Sequence, residues 1–268
     1  MLKQRIITAI VLGAAIVWAI FKLPNHLLAL VFGGITLLGA WEWAGLIGLS
    51  HFLWRIIYVV FVVALMALTW VFAGPHQVHI ILLVAGLWWA SVVILLSVYE
   101  SKWLQTAWLQ RMLGFSGFVV LVPSWLALTS IHRQGPIMLM FLLVLVWITD
   151  IAAYFVGKRF GKTKLAPKLS PGKSREGLWG ALMASILLAI VGVRLFDLDM
   201  NVWVYFGCLC LLTALISVVG DLYESLLKRR AGVKDSGRIL PGHGGILDRI
   251  DSLTAAAPGF VLGLYWLV

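Results

Sequence analysis

The chain has 268 residues, of which 62% are hydrophobic and only 12% carry a charge. A soluble domain of this length needs far more polar surface to cover itself, so the composition excludes a soluble globular protein. The net charge of +10 does not indicate nucleic acid, because the basic residues are distributed as expected for membrane orientation and for an anionic substrate at a lipid surface.

Repeated apolar stretches, each long enough to cross a bilayer, predict an all-α polytopic transmembrane helical bundle. About nine spans are expected, with two polar cytoplasmic loops forming the site. The first two spans are short and are also compatible with a single re-entrant hairpin. The predicted spans are 6–23, 27–43, 56–72, 78–98, 112–131, 136–156, 178–193, 202–220 and 253–268.

The predicted spans divide the chain into two regions. Residues 1–135 are expected to be a transmembrane scaffold or to make dimer contacts, and residues 136–268 to form the catalytic region. The long polar connections 157–177 and 221–252 both lie in the second region. If they share one side of the membrane, all but three of the 21 Lys and Arg residues lie on that side. The positive-inside rule then predicts a multi-pass protein of the cytoplasmic membrane, with its N-terminus and its site facing the cytoplasm.

Nothing before about residue 145 is predicted to act in catalysis. Glu42 and Glu100 lie at the ends of predicted spans beside Trp or Tyr, which favours interfacial anchoring. Asp150 lies within the sixth predicted span. A carboxylate at that depth must be paired or line a cavity, so direct catalysis and pairing with a basic loop residue are equally open.

The connection 157–177 is rich in Lys and Arg, and its segment 170–174 runs into a predicted apolar helix. A Ser near a helix start, with open backbone N–H groups and flanking cations, is typical of a phosphate site. Ser170, Lys173 and Ser174 are therefore candidate phosphate ligands. A plain positive-inside anchor is the alternative, and the spacing is not that of a P-loop.

The stretch 220–251 holds five of the eleven carboxylates and six Lys or Arg residues. Asp248 and Asp251 are spaced to share one face at the start of the last span. The glycine-rich turn 240–245 allows the backbone to approach a ligand closely. This set suits a Mg²⁺–triphosphate complex, and a salt-bridged interfacial loop is the alternative. One face of a helix continuing the eighth span is predicted to carry Asp221, Glu224, Ser225 and Lys228.

These residues resemble the signature of the phosphatidate cytidylyltransferase (CDP-diacylglycerol synthase) family. The pattern S-x-x-K-R-x4-K-D-x-[GSA]-x2-[LIF]-[PGS]-x-H-G-G-x2-D-R-x-D matches without a gap from Ser225 to Asp251. The pattern S-P-x-K-[ST]-x-E-G matches from Ser170 to Gly177, with Ser174 where Thr is common. The motifs cover roughly residues 150–255, and the first half of the chain shares only its hydrophobic character.

The resemblance implies that CTP and phosphatidic acid react in the presence of Mg²⁺ to give CDP-diacylglycerol and pyrophosphate. It also implies a cytoplasm-facing polar cavity, and it allows for a homodimer. The expected catalytic residues are Asp221, Asp248, Asp251, Lys228 and Lys234, and the three aspartates are the expected metal ligands. The expected substrate- and phosphate-binding residues are Ser170, Lys173, Ser174, Ser225, Arg229, His243, Gly244, Gly245 and Arg249.

Two other functions stay open at this point. A CTP-dependent lipid kinase uses the same nucleotide but transfers the γ-phosphate to a lipid hydroxyl. A transporter of an anionic solute is expected to distribute intramembrane charges or broken helices over two related halves. The charges of this chain concentrate in one half, which disfavours the transporter.

Overall fold

The computed structural model describes residues 2–99, 106–240, 242 and 244–266, so that His243 and Glu100 lie outside the described residues. A small antiparallel hairpin of β1 (Lys164–Ala166) and β2 (Ser170–Ser174) accompanies the helices, and a 3-10 turn (Met200–Val202) precedes α8. The helices of the described part are α1 (Leu2–Lys22), α2 (Asn25–Leu46), α3 (Phe52–Phe72), α4 (Pro75–Ser97), α5 (Ala107–Gln134), α6 (Pro136–Phe160), α7 (Arg175–Leu195), α8 (Trp203–Arg230) and α9 (Leu247–Leu264).

The all-α membrane architecture is confirmed. Each predicted span corresponds to one helix, and in the described part seven helices, α2 to α8, are long and apolar enough to cross a bilayer. The first two predicted spans are two helices of 21 and 22 residues, and the alternative of a re-entrant hairpin stays open. The eighth predicted span ends at residue 220, but α8 continues to Arg230, as the one-face spacing of its polar residues predicts.

The breaks between helices follow from proline and glycine. Pro75 and Pro136 occupy the first turns of α4 and α6, where proline's missing N–H leaves no hydrogen bond unmade. Gly135 joins α5 to α6 with φ +154°, a conformation that residues with a Cβ rarely adopt. These residues lie at two of the breaks between the predicted spans.

Two close helix pairs, α6–α7 and α8–α9, form the half of the bundle that holds the site. Gly180 of α7 lies where a Cβ would be 2.6 Å from a Val156 methyl of α6, and Gly220 of α8 lies where a Cβ would be 2.5 Å from the Asp251 carbonyl of α9. Small residues at such contacts let two backbones approach closely. The most enclosed of these seven spans, α5, packs against α2 and α9 and joins the two halves of the molecule.

Candidate active site

A polar cavity of about 810 Å³ opens between α6, the hairpin, α7, α8 and α9. Both sequence motifs contribute to its walls, because α7 begins directly after β2 and α9 begins directly after the loop that follows α8. Apolar walls come from Ala153, Leu165, Leu178 and Val218. The polar side chains that line the cavity are Asp150, Tyr154, Lys158, Lys164, Ser170, Lys173, Ser174, Asp221, Asp248, Asp251 and Ser252.

One lysine reaches across the cavity to the acidic wall. The Lys173 ammonium of β2 lies 2.6 Å from Oδ2 of Asp221, and both side chains are partly exposed, at 23% and 31%. The same ammonium acts on the Asp150 carboxyl, which also interacts with the Ser252 hydroxyl. Asp150 therefore lies beside a basic residue of the hairpin and still lines the cavity.

Asp248 is held by its own loop. Its Oδ2 accepts hydrogen bonds from the Ser236 N–H at 2.9 Å, the Ser236 hydroxyl at 3.0 Å and the Gly245 N–H at 2.9 Å. Its Oδ1 lies 2.7 Å from the Lys228 ammonium. Burial raises the pKa of this carboxyl, but the hydrogen bonds from Lys228 and the two amides outweigh that effect and hold the pKa below its usual range. Both carboxylate oxygens are thus occupied by donors of the protein.

Lys228 joins α8 to α9. Its ammonium contacts Oε2 of Glu224 at 2.6 Å as well as Oδ1 of Asp248 at 2.7 Å, and its side chain is only 14% exposed. The other carboxylate oxygen of Glu224, Oε1, is buried and has no N–H or hydroxyl donor within the described residues, and the Glu224 carboxyl is close enough to that of Asp251 for the two to share a proton. Glu224 also interacts electrostatically with Asp251, which interacts with Asp221 in turn. A cluster of three carboxylates therefore lies where α8 and α9 are closest.

The carboxylates at this point fit a magnesium ion in their chemistry. Mg²⁺ prefers hard oxygen ligands and is usually held by one or two carboxylates, with water and substrate phosphates completing its shell. Oε1 of Glu224 is a buried acceptor beside the Asp251 carboxyl, which is an unfavourable arrangement unless a cation or a shared proton lies nearby. Across the described part of the chain, no three His, Cys, Asp or Glu side chains converge closely enough to hold a metal by themselves. That absence is compatible with a site that substrate phosphates complete.

The hairpin supplies the remaining candidate phosphate ligands. Ser174 caps α7, since its hydroxyl accepts the Gly177 N–H at 3.1 Å, and its side chain is buried. This is the serine at a helix start that the sequence predicts. Arg229 lies outside the cavity and donates from Nε to the Leu169 carbonyl at 3.0 Å, which ties the end of α8 to the hairpin. Ser170 and Lys173 also lie on β2, and both line the cavity.

Several candidates lie away from the cavity walls. Lys234 and Arg249 are exposed, and Ser225 is buried within the bundle. Gly244 has φ +85° and closes a turn in which the Leu240 N–H donates to its carbonyl at 3.0 Å. His243 lies outside the described residues. Of the predicted site residues in the described part, the walls include Ser170, Lys173, Ser174, Asp221, Asp248 and Asp251.

The model of the cytidylyltransferase family matches residues 3–267. The chain belongs to this family. The resemblance drawn from the two motifs is confirmed, and it extends through the N-terminal half, in which the motifs gave no match.

Bacterial relatives align with this cytidylyltransferase over nearly its full length. The phosphatidate cytidylyltransferase of Pseudomonas aeruginosa is 43% identical over 286 aligned residues, which cover 99% of this chain and 97% of the relative. The phosphatidate cytidylyltransferase of Haemophilus influenzae is 39% identical and covers 97% of both chains. One from Staphylococcus aureus is 46% identical over 127 residues, or 47% of this chain and 48% of the relative.

The interpretation of Glu42 as an interfacial anchor is wrong. Glu42 is only 4% exposed, and its carboxylate accepts three hydrogen bonds from the loop before α9 and the start of that helix. The sequence does contain one signal for this residue, because an acid within an apolar span needs a partner. Which partner it finds depends on residues about 200 positions further along the chain.

The glycines of the second motif lie close to carboxylates of the protein. A Cβ on Gly237 or Gly245 would collide with the Glu42 carboxylate, and one on Gly244 would approach Oδ2 of Asp248 to 2.8 Å. The motif glycines thus make room for the two carboxylates that hold their own loop. Gly237, Gly244 and Gly245 are not among the residues that line the cavity, and the contact expected between this turn and a ligand stays a prediction.

Proposed function

We propose that this cytidylyltransferase transfers the cytidylyl group of CTP to phosphatidic acid and releases pyrophosphate, with CDP-diacylglycerol as the lipid product. The observation that carries the proposal is the near full-length similarity to two relatives named phosphatidate cytidylyltransferase. A cavity with cations and carboxylates on its walls, set among helices that can span a bilayer, supports it. A water-soluble polyanion and a membrane lipid can meet in such a place.

In the proposed reaction, an oxygen of the lipid phosphate attacks the α-phosphorus of CTP in line. A new oxygen–phosphorus bond forms, the bond from the α-phosphorus to the bridging oxygen breaks, and pyrophosphate leaves with the electron pair. A phosphate monoester is largely dianionic near pH 7, so the reaction requires no strong general base. The difficulty is to bring two polyanions together, which positioning and cations relieve.

The residues divide into two groups in this proposal. Lys158, Lys164 and Lys173 line the cavity and lower the cost of placing phosphates there. Asp221 and Asp251, with Glu224 beside them, would hold Mg²⁺, which when bound supplies charge neutralisation to the triphosphate. Lys228 and Asp248 contact each other, so we assign them the task of holding α8 and α9 at the correct separation.

We place the protein in the cytoplasmic membrane with this cavity facing the cytoplasm, where CTP is available. All but three of the Lys and Arg residues lie on the cavity side of the topology, which supports that orientation. Phosphatidic acid then reaches the cavity from the bilayer, along its apolar walls. The lipid-facing helices α3 and α4, whose spans are only 17% and 22% buried, remain available for contact with lipid or with a second copy of the chain.

The test is to supply the purified protein in detergent with Mg²⁺, phosphatidic acid and CTP labelled at either the α- or the γ-phosphate. Label is expected to enter the lipid from the α position only, with one pyrophosphate released for each lipid product. Label that enters a lipid alcohol from the γ position would instead identify a CTP-dependent lipid kinase. If the folded protein transferred neither label, both activities would be excluded, and transport of an anionic solute would be the remaining alternative.

A further inference from the structure

We propose that Glu42 of α2 is a positioning residue for the reaction, although it lies in the half of the chain that carries none of the family motifs. Its carboxylate fixes the start of α9 and the loop before it. It thereby determines the position of the cavity wall that carries Asp248 and Asp251. This inference rests on the proposed function, because it assigns Glu42 to the reaction at the same site.

Glu42 caps α9 from another helix. Its Oε1 accepts the Ile246 N–H at 3.0 Å, and its Oε2 accepts the Leu247 N–H at 2.9 Å. These amides belong to the start of a helix, where N–H groups lack partners within the helix. No side chain at the N-cap of α9 performs that task, since the N-cap residue is Ile246. An anionic carboxylate at this position is also favoured by the helix dipole.

The same carboxylate is linked to the cavity wall through one hydroxyl. Ser236 Oγ lies 3.0 Å from Oε2 of Glu42 and 3.0 Å from Oδ2 of Asp248. A hydroxyl has a single proton and so donates to one of the two carboxylates at a time. Asp248 in turn contacts Lys228 of α8. A continuous polar chain therefore runs from α2, through the loop, to the two helices that carry the carboxylate cluster.

The surrounding packing is shaped to admit this side chain. Gly237 and Gly245 both lie where a Cβ would collide with the Glu42 carboxylate, and neither has a positive φ. Glycine is therefore required at 237 by the space that Glu42 occupies, and at 245 by the space that Glu42 and the Ser236 hydroxyl occupy together. On the same helix, a Cβ on Gly39 would be 3.1 Å from the Leu247 side chain, so α2 and α9 are in close contact at this point. The glutamate is buried because α9 begins against it.

A buried carboxylate costs free energy unless it is hydrogen-bonded, and Glu42 accepts two amide N–H groups together with the Ser236 hydroxyl that it shares with Asp248. Removing it leaves two amides of α9 without acceptors and frees Ser236. The start of α9 then loses its fixed position relative to α8. Since Asp251 is one turn into α9, the expected consequence is a misplaced acidic wall in a protein that still inserts and packs.

The test compares Glu42→Ala and Glu42→Gln with Thr36→Val, a matched control on the same helix. Thr36 is buried, and its hydroxyl bonds only within α2, to the Phe32 carbonyl at 2.8 Å. Supporting side chains of this kind typically contribute about 10–100-fold to activity, and we expect losses of kcat in that range for both Glu42 variants. Glu42→Gln keeps the shape and serves as the decisive variant if Glu42→Ala does not fold. Thr36→Val should retain wild-type kcat.

Two further measurements separate positioning from a general structural effect. Hydrogen exchange of the amides at 246 and 247 should accelerate in the Glu42 variants and not in Thr36→Val. Gly237→Ala should reduce kcat in the wild-type background but add little to Glu42→Ala, because the Cβ no longer meets a carboxylate. Unchanged kcat in folded Glu42→Gln, or unchanged exchange at both amides, would overturn the proposal. Hydrogen exchange can be measured without turnover. If the wild-type protein showed no cytidylyl transfer, the proposed function would be refuted, but exchange would still test whether Glu42 fixes the start of α9.

Discussion

At the scale of single residues, the acids of the site differ in what surrounds them. Asp221 is 31% exposed and has one ion pair, with Lys173, whereas Asp248 is 8% exposed and is held by four donors. The two aspartates appear equivalent in the sequence, where each was predicted to hold the metal. We propose from these surroundings that Asp221 acts in the open cavity and that Asp248, which also lines the cavity, mainly holds the framework of the loop.

This difference predicts two kinds of loss. Asp221→Asn should keep the thermal midpoint of the wild type and lose nearly all turnover. Asp248→Asn should lose turnover and stability together, because charge-assisted hydrogen bonds contribute on the order of 2 kcal/mol. Thermal unfolding in detergent, measured beside turnover, distinguishes the two. Equal midpoints for both variants would contradict the assignment of Asp248 to the framework, and wild-type turnover in Asp221→Asn would contradict the metal assignment.

At the scale of elements, the site depends on how closely α8 approaches α9. Gly220 is directly before Asp221, and it lies against the Asp251 carbonyl and the Ala255 methyl. Close approach at this residue brings the carboxylates of the two helices together. The contact between α8 and α9 is therefore part of the site and not only part of the bundle.

Gly220→Ala is expected to push the two helices apart. Its new Cβ would lie 2.5 Å from the Asp251 carbonyl oxygen, and overpacking of this kind typically costs about 1–3 kcal/mol. We expect a lower thermal midpoint and a loss of turnover. Gly207→Ala on the same helix is the matched control, because a Cβ there meets nothing within 4 Å and alanine favours helix. If Gly220→Ala behaved like Gly207→Ala, the close approach of α8 and α9 would not matter for the site.

The contact between α8 and α9 also explains which features of the site could be predicted from the sequence and which could not. Spacing correctly indicates that Asp221 and Glu224 share a face of a helix, because helical periodicity is local. It does not give the separation of Asp221 from Asp251, which depends on a backbone contact between two helices. The donors around Asp248 were equally hidden, since they come from a turn whose conformation no short-range pattern defines.

At the scale of the whole molecule, hydrophobic runs were sufficient to predict the bundle, because a bilayer admits few structures besides helices of about 20 residues. The division into a scaffold of residues 1–135 and a catalytic region of residues 136–268 describes where the cavity walls come from. This division does not account for Glu42, a residue of the first region whose carboxylate caps α9 in the second region.

The central claim is that the cavity between α6 and α9 binds CTP, and Lys173 tests it most directly. Lys173 lines the cavity, whereas Lys168 is exposed on the same hairpin and does not. Each should be changed to Gln and the affinity for CTP measured by calorimetry in detergent with Mg²⁺ and without lipid.

A hydrogen bond to a charged group contributes about 1.5–3 kcal/mol, which corresponds to about 10–100-fold in affinity. Lys173→Gln is therefore expected to weaken CTP binding by that factor, and Lys168→Gln to leave it unchanged. Equal affinities in the wild type and both variants would contradict the placement of the nucleotide in this cavity.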